Sequence, residues 1–227
     1  AFEPFEYKDG DSYYGVDMEI AKLLADKLGK ELVIQNMDFD AVCLSVGQHQ
    51  SDIAMAGLTV NEKREEYVTF ATPYYKASQK LIVPSDDTRF DNCKTVEDVE
   101  AILKEMDKST KIGVQNGTIQ VPIANELAGE ENVVGLVKAQ DLIMELKSGK
   151  LDVVYIDYTT ALAFAAANDD LTVKDVGIES DSEGQCIGVQ KGNEDFVAYL
   201  NEKIAEMQEQ GLIDQYVAEA QTLAGIE

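Results

Sequence analysis

The sequence predicts an α/β fold with a mostly parallel sheet, on two observations. Apolar residues recur at helical spacing in several segments, and short apolar runs of strand character stand between them. The alternation also occurs twice. "QSDIAMAG" and "GKLDVVYID" each follow a helix and open a buried strand, with Asp52 and Asp152 lying 100 positions apart (152 − 52). By the same offset Gly57 matches Asp157, each where its strand ends. Two similar units in one chain predict two lobes.

Taken in order, "AFEPFEY" reads as folded protein rather than a signal peptide, so the chain is expected to begin inside its first strand. "GVDMEIAKLLADKLG" puts Val16, Ile20, Leu23, Leu24 and Leu28 on one helical face and stops at Gly29. "ELVIQNMDF" reads as a strand, "FDAVCLSVGQHQ" as a short helix and "SDIAMAG" as a short buried strand. In the second unit "KIGVQNGT" is a strand that turns into the helix "IQVPIANELAG", followed by the strand "NVVGL". "AQDLIMELKSGK" is the next helix and "LDVVYID" the next strand. The C-terminal part is helical, with Leu200, Ile204, Met207, Leu212 and Ile213 as its stripe and a break at Gly211. "PYYKASQKLIVPS" and "DSEGQCIGVQKGN" read as extended segments that cross between lobes.

The chain has 227 residues, of which 45% are hydrophobic and 27% charged, an ordinary globular balance. A net charge of −24 argues against nucleic acid and against docking on anionic lipid, which both need a basic surface. No apolar run approaches the ~20 residues that span a bilayer. The three cysteines, Cys43, Cys93 and Cys186, form no metal-spaced pair, and buried free thiols are expected, with room for one disulfide at most. No cofactor and no metal is expected.

The rarest charge is the informative one. Arginine and lysine together number 19 against 43 acidic residues, and the only arginines are Arg64 and Arg89. Ligands of open α/β sheets bind beyond the carboxyl ends of the strands, which points to Phe2–Pro4, Gly57–Thr59, Gln115–Thr118 and Asp157. Thr59 and Glu62 have capping-box spacing, so a helix is expected to start at Thr59 and to carry Arg64 in its second turn. Such a helix start attracts anions, and Arg64 adds a two-pronged fork. Asp157 supplies the opposite charge. Together these groups suit a zwitterion. Singly, Arg64 also fits a surface partner of Glu65 or Glu66, Asp157 a helix cap, and Phe2 and Phe39 core aromatics.

In this order, "PFEY…GVDMEIAKLLADKLG", "MDFDAV", "DIAMAGLTVNEKREEYVTFATPYY", "IGVQNGT", "SGKLDVVYID" and "IGVQKGN" give the chain its resemblance to a family. It resembles the polar amino-acid solute-binding proteins of ATP-driven (ABC) importers, which have the two-lobed type II periplasmic-binding-protein fold. The resemblance implies that Arg64 and Thr59 hold the ligand carboxylate, helped by the turn at Gln115 and Thr118. It implies that the Gly57 carbonyl and Asp157 hold the ammonium, and that Phe2 and Phe39 sandwich the side chain. Departures from the family are Cys43 and His49 in "AVCLSVGQHQSD", with His49 expected in a solvated loop, and the long connector "DNCKTVEDVEAILKEMDKST". The family strand upstream of Phe2, which often selects the ligand's side chain, lies outside this sequence.

The expectation is therefore an extracytoplasmic, monomeric binder of an L-amino acid, periplasmic or lipid-anchored on the outer face of the cell membrane. It would deliver its ligand to the membrane permease of an ABC importer, without catalysis. Lobe one would be residues 1–75 and 187–227, lobe two residues 79–181, with crossings near 76–78 and 182–186. Arg64 and Asp157 already balance a zwitterion, so a neutral polar side chain such as glutamine comes first, and arginine or lysine second. The rivals are a dehydratase-like enzyme on the same fold, for which no second acid–base group is visible beside Asp157, and the sensing domain of a receptor.

Overall fold

A computed structural model describes residues 2–76, 78–178 and 184–223. Residue 77 and residues 182–183, which belong to the two expected crossings, lie outside the described residues. By their contacts the residues divide into two compact units, Ala1–Ala77 with Ser182–Gly225, and Ser78–Asp181.

The first unit opens on a turn rather than a strand. Phe2 makes an isolated antiparallel bridge with Glu6, its N–H donating to the Glu6 carbonyl at 2.7 Å, and the first strands are the hairpin of β1 (Tyr7–Asp9) and β2 (Ser12–Tyr14). Helix α1 (Val16–Leu28) follows Gly15, whose φ is 116° and where a Cβ would lie 2.2 Å from the Phe5 carbonyl oxygen. Only glycine fits there. The helix buries Val16, Ile20 and Leu24 as its spacing predicts, but Leu28 is 40% exposed. Gly29, at φ 62°, ends it in the left-handed region.

The expected strand at 31–39 does not form. Among the described residues no strand pairs with that backbone, and Val33 is 72% exposed. A strand is stabilised by a neighbour's hydrogen bonds, which a run of β-forming residues cannot provide alone. After a 3-10 turn at Phe39–Ala41 come α2 (Val42–Gly47) and β3 (Ile53–Ala54), then α3 (Glu62–Glu65) and β4 (Val68–Phe70). Strand β10 (Gly188–Gln190) lies between β3 and β4 and runs antiparallel to both. The mostly parallel expectation therefore fails in this unit. Helices α8 (Glu194–Glu209) and α9 (Leu212–Leu223) follow, separated at Gly211 (φ 67°), and α9 packs on α1. Their buried stripe includes Leu200, Ile204, Met207 and Ile213, with Leu212 half-buried.

In the second unit β5 (Gln79–Pro84), β6 (Ile112–Gln115), β7 (Val133–Leu136), β8 (Val153–Asp157) and β9 (Leu171–Val173) form one sheet in the order β7-β6-β8-β5-β9. Here β6 is parallel to both neighbours, while β5 is antiparallel to β8 and β9. Helices α5 (Gln120–Ala128) and α6 (Ala139–Lys147) fall where the periodicity places them, and α7 (Tyr158–Ala166) follows β8 behind Asp157. The long connector holds a further helix, α4 (Val96–Lys104), started by a capping box of Thr95 and Asp98. Leu81, Val99, Leu103, Ile112 and Val153 are buried in its core. The parallel arrangement brings the carboxyl ends of β6 and β8 to one edge, which carries Gln115 and Asp157.

Candidate functional site

In the first unit the loop after β3 carries Gly57 and Thr59. Gly57 has φ 56°, and a Cβ there would lie 3.6 Å from Phe2 Cδ1. Phe2 is itself buried and stacks on Phe5 with ring centroids 6.4 Å apart. Thr59 is not a helix start. It makes an isolated bridge with Gln185, and α3 begins at Glu62 behind Asn61, whose side chain accepts from the Arg64 N–H at 2.8 Å. Arg64 therefore stands in the first turn of α3, not the second, and the amide that a free helix start would offer is capped by Asn61.

The Arg64 guanidinium still returns to Thr59. Its Nη1 donates to the Thr59 carbonyl at 2.6 Å and to Thr59 Oγ1 at 3.1 Å, and its Cζ lies 4.9 Å from the centre of the Phe39 ring. Arg64 is buried to 8% exposure, whereas Glu65 and Glu66 are exposed. A surface ion-pair reading does not describe a guanidinium held this way. Burial pulls its pKa below the ordinary value, and it stays a cation because guanidinium does not give up its proton in proteins. Burial pushes the nearby Cys43 thiol up, with Arg64 opposing. Phe39, Thr59 and Arg64 thus form one assembly, with Gly57 and Phe2 beside each other next to it along the chain.

In the second unit Gln115 ends β6, and its Nε2 donates to the Val137 carbonyl at 3.1 Å while its Oε1 is buried without a protein partner. Thr118 Oγ1 donates to the Gln115 carbonyl at 2.7 Å, which closes the turn that leads to α5. Asp157 ends β8 and caps α7, its Oδ1 accepting from the Thr159 N–H at 2.9 Å and the Thr160 N–H at 3.4 Å. The cap reading is thus correct, and it leaves a buried carboxylate. Burial pushes Asp157 up from 3.8 to about 7, partly offset by the two amides, and no cation among the described residues bears on it. Beside it in register is Gln79, whose side-chain carbonyl accepts from the buried Gln120 amide.

One participant was not anticipated. Asp17, on α1, is fully buried and accepts from the Gly57 N–H at 2.8 Å and from the Tyr74 hydroxyl at 2.6 Å. Burial pushes it up from 3.8 to about 6. The signal was present in its spacing: a carboxylate three, four and seven positions before Ile20, Ala21 and Leu24 lies on the apolar face. His49 is exposed, at φ 60°, and its ring meets the Gln190 side-chain amide. Cys43 is a buried free thiol and Cys93 a half-buried one, while the buried Cys186 Sγ donates to the Gly184 carbonyl at 3.7 Å. Among the described residues no group of three or more His, Cys, Asp or Glu is placed to hold a metal ion, and no helix is long and apolar enough to cross a membrane.

The chain is 30% identical to the arginine-binding extracellular protein ArtP of Bacillus subtilis, covering 94% of this chain and 80% of that one. It is 32% identical, with a TM-score of 0.87, to the amino acid ABC transporter substrate-binding protein AbpA of Streptococcus pneumoniae solved with L-arginine, covering 100% of this chain and 92% of that one. An ancestral arginine-binding protein solved with glutamine gives 30% identity and a TM-score of 0.81, covering 96% and 93%. The names of these relatives are those of arginine-binding and ABC-transporter substrate-binding proteins, not of enzymes. The profile of the bacterial extracellular solute-binding proteins, family 3, matches residues 1–219, and this chain belongs to that family.

Proposed function

We propose that the chain binds one free L-amino acid with groups from both of its units and presents it to the permease of an ABC importer. The observation that carries the reading is a complementary pair of buried charges, the Thr59-bound guanidinium of Arg64 on one unit and the capping carboxylate of Asp157 on the other. An α-amino acid carries the matching ammonium and carboxylate. Arg64 and Thr59, with the Gln115–Thr118 turn, would take the carboxylate, and Asp157 with the Gly57 carbonyl the ammonium. Phe2 and Phe39 would flank the side chain. The ligand's ammonium would supply the counter-charge for Asp157, so binding and ionisation of Asp157 reinforce each other. Closure on the ligand would exclude water and strengthen both contacts.

Charge balance alone favours a neutral polar side chain such as glutamine. The relatives' names weigh towards arginine, and one ancestral arginine-binding scaffold was solved with glutamine. L-Arginine is therefore the first ligand to try and L-glutamine the second. The protein would act as an exported monomer. A thermal-shift screen of the twenty amino acids tests the reading, because a ligand of the folded state raises the melting temperature. A rise confined to one or a few amino acids supports it. No rise with any of them at saturating concentration refutes it.

A further inference from the structure

The motif "GVDMEI" enters the fold as the first turn of α1, yet its Asp17 is turned away from solvent. A fully buried carboxylate is costly unless donors satisfy it, and this one has two. Gly57 N–H reaches Oδ2 at 2.8 Å and Tyr74 O–H reaches Oδ1 at 2.6 Å. The three groups come from α1, from the loop after β3 and from the segment after β4, 40 and 57 positions from Asp17. The carboxylate joins segments that the chain itself leaves separate. Gly57 is also where the backbone enters the left-handed region, and its N–H is the bond by which Asp17 holds the start of the Gly57–Thr59 loop.

We propose that Asp17 is a positioning residue for the ligand site, holding the Gly57–Thr59 loop in the conformation that receives the amino acid. It acts through Gly57 and does not itself touch the ligand. The proposal rests on the amino-acid-binding reading of Gly57 and Thr59. Ionised, Asp17 accepts both donors; protonated, it has an acidic proton where the Tyr74 hydroxyl now donates, and the arrangement loosens. Burial pushes Asp17 up to about 6, so the change falls just below neutral pH. The other titratable groups bearing on the network are Tyr74, pushed well up by burial and by Asp17, and Glu6 and Cys186, which act on Tyr74.

The test is isothermal titration of the full chain with L-arginine and L-glutamine at pH 8, 7, 6 and 5, for wild type, Asp17→Asn and Tyr74→Phe. Asparagine keeps the shape and one acceptor but cannot accept from both donors. Asp17→Asn is expected to bind about tenfold more weakly than wild type at pH 8. At pH 5 the two affinities converge, because wild-type Asp17 has taken up its proton. Asp157 titrates in both proteins and cancels in the ratio. Tyr74→Phe keeps the Gly57 bond but removes a donor from the carboxylate, so its affinity falls at a higher pH than that of wild type. A ratio of one at pH 8, or the same ratio at pH 8 and pH 5, overturns the positioning role while wild-type binding still supports the amino-acid reading. Where wild type binds neither probe, the titration is repeated with the amino acids that raise the melting temperature, and binding of none of the twenty overturns that reading and this proposal with it. If Asp17→Asn does not fold, the Tyr74→Phe profile decides: an unshifted profile overturns the role.

Discussion

Asp157→Asn is expected to make the ligand-free protein more stable at pH 8 and a poorer binder at once. The folded chain raises this carboxyl from 3.8 to about 7, through burial that outweighs the Thr159 and Thr160 amides. A raised folded pKa means that the folded state holds the proton more tightly than the unfolded chain. The stability from protonation is complete below about pH 4 and is lost as pH rises through about 7. A shift of roughly 3 units corresponds to about 4 kcal/mol. That is the cost of the buried charge at pH 8, net of its hydrogen bonds. Asparagine carries no charge, and its amide oxygen can still accept from Thr159 N–H, 2.9 Å away in the native protein. The variant should therefore gain up to about 4 kcal/mol over wild type at pH 8. That gain corresponds to a melting-temperature rise of roughly 10 °C. The advantage shrinks at pH 5 and vanishes near pH 4. Asp17 titrates in both proteins and drops out of the difference. Calorimetric melts at pH 8, 6 and 5, after unfolding, dialysis and refolding to strip ligand, check the trend. A variant no more stable than wild type at pH 8, or an advantage independent of pH, would refute the reasoning.

Arg64→Ala should weaken amino-acid binding by ~2–5 kcal/mol, or roughly 30- to several-thousand-fold, because the ligand carboxylate would be buried unpaired. Arg64→Lys should also lose affinity, since an ammonium cannot match the planar fork; titration calorimetry with near-native affinity in the alanine variant would reject the clamp. Phe39→Ala should cost on the order of 1 kcal/mol or more of binding by removing a stacking face. Since the same ring also covers Arg64, unchanged affinity would assign Phe39 to packing alone. Small-angle scattering should show a smaller radius of gyration with bound amino acid than without, and identical curves with a proven ligand would exclude closure by hinge motion.

Helices were legible in this sequence because their evidence is local. The stripe Val16, Ile20 and Leu24 and the Gly29 stop lie within four turns and need no partner. Strand 31–39 was misread because "ELVIQNMDF" has strand-forming residues but no neighbour among the described residues. Parallel order failed in the first unit for the same reason, as pairing with β10 cannot be read from β3 or β4. At Thr59 two local patterns competed. Thr59–Glu62 has capping-box spacing, but Thr59 pairs with Gln185, so Asn61 two residues on becomes the cap. Arg64 survived that error because its rarity, not its helix, identified it. Asp157 was legible as a charge at a strand end, while its buried state required the rest of the sheet. Asp17 was readable but hidden in plain helical spacing, where a lone carboxylate on the apolar face is easily counted as helix.

The strand at the middle of the first unit's sheet is the one made last. Gly188 pairs with Ala54, 134 residues earlier (188 − 54). During synthesis β3 and β4 leave the ribosome with unpaired edges, and no hydrogen-bonding strand reaches them until most of the chain exists. The second unit is contiguous from Ser78 to Asp181 and can close as soon as it is complete. Its partner must wait, and loop closure over so long a segment makes that wait slow. The first unit's sheet therefore cannot be completed until nearly the full length of the chain is made.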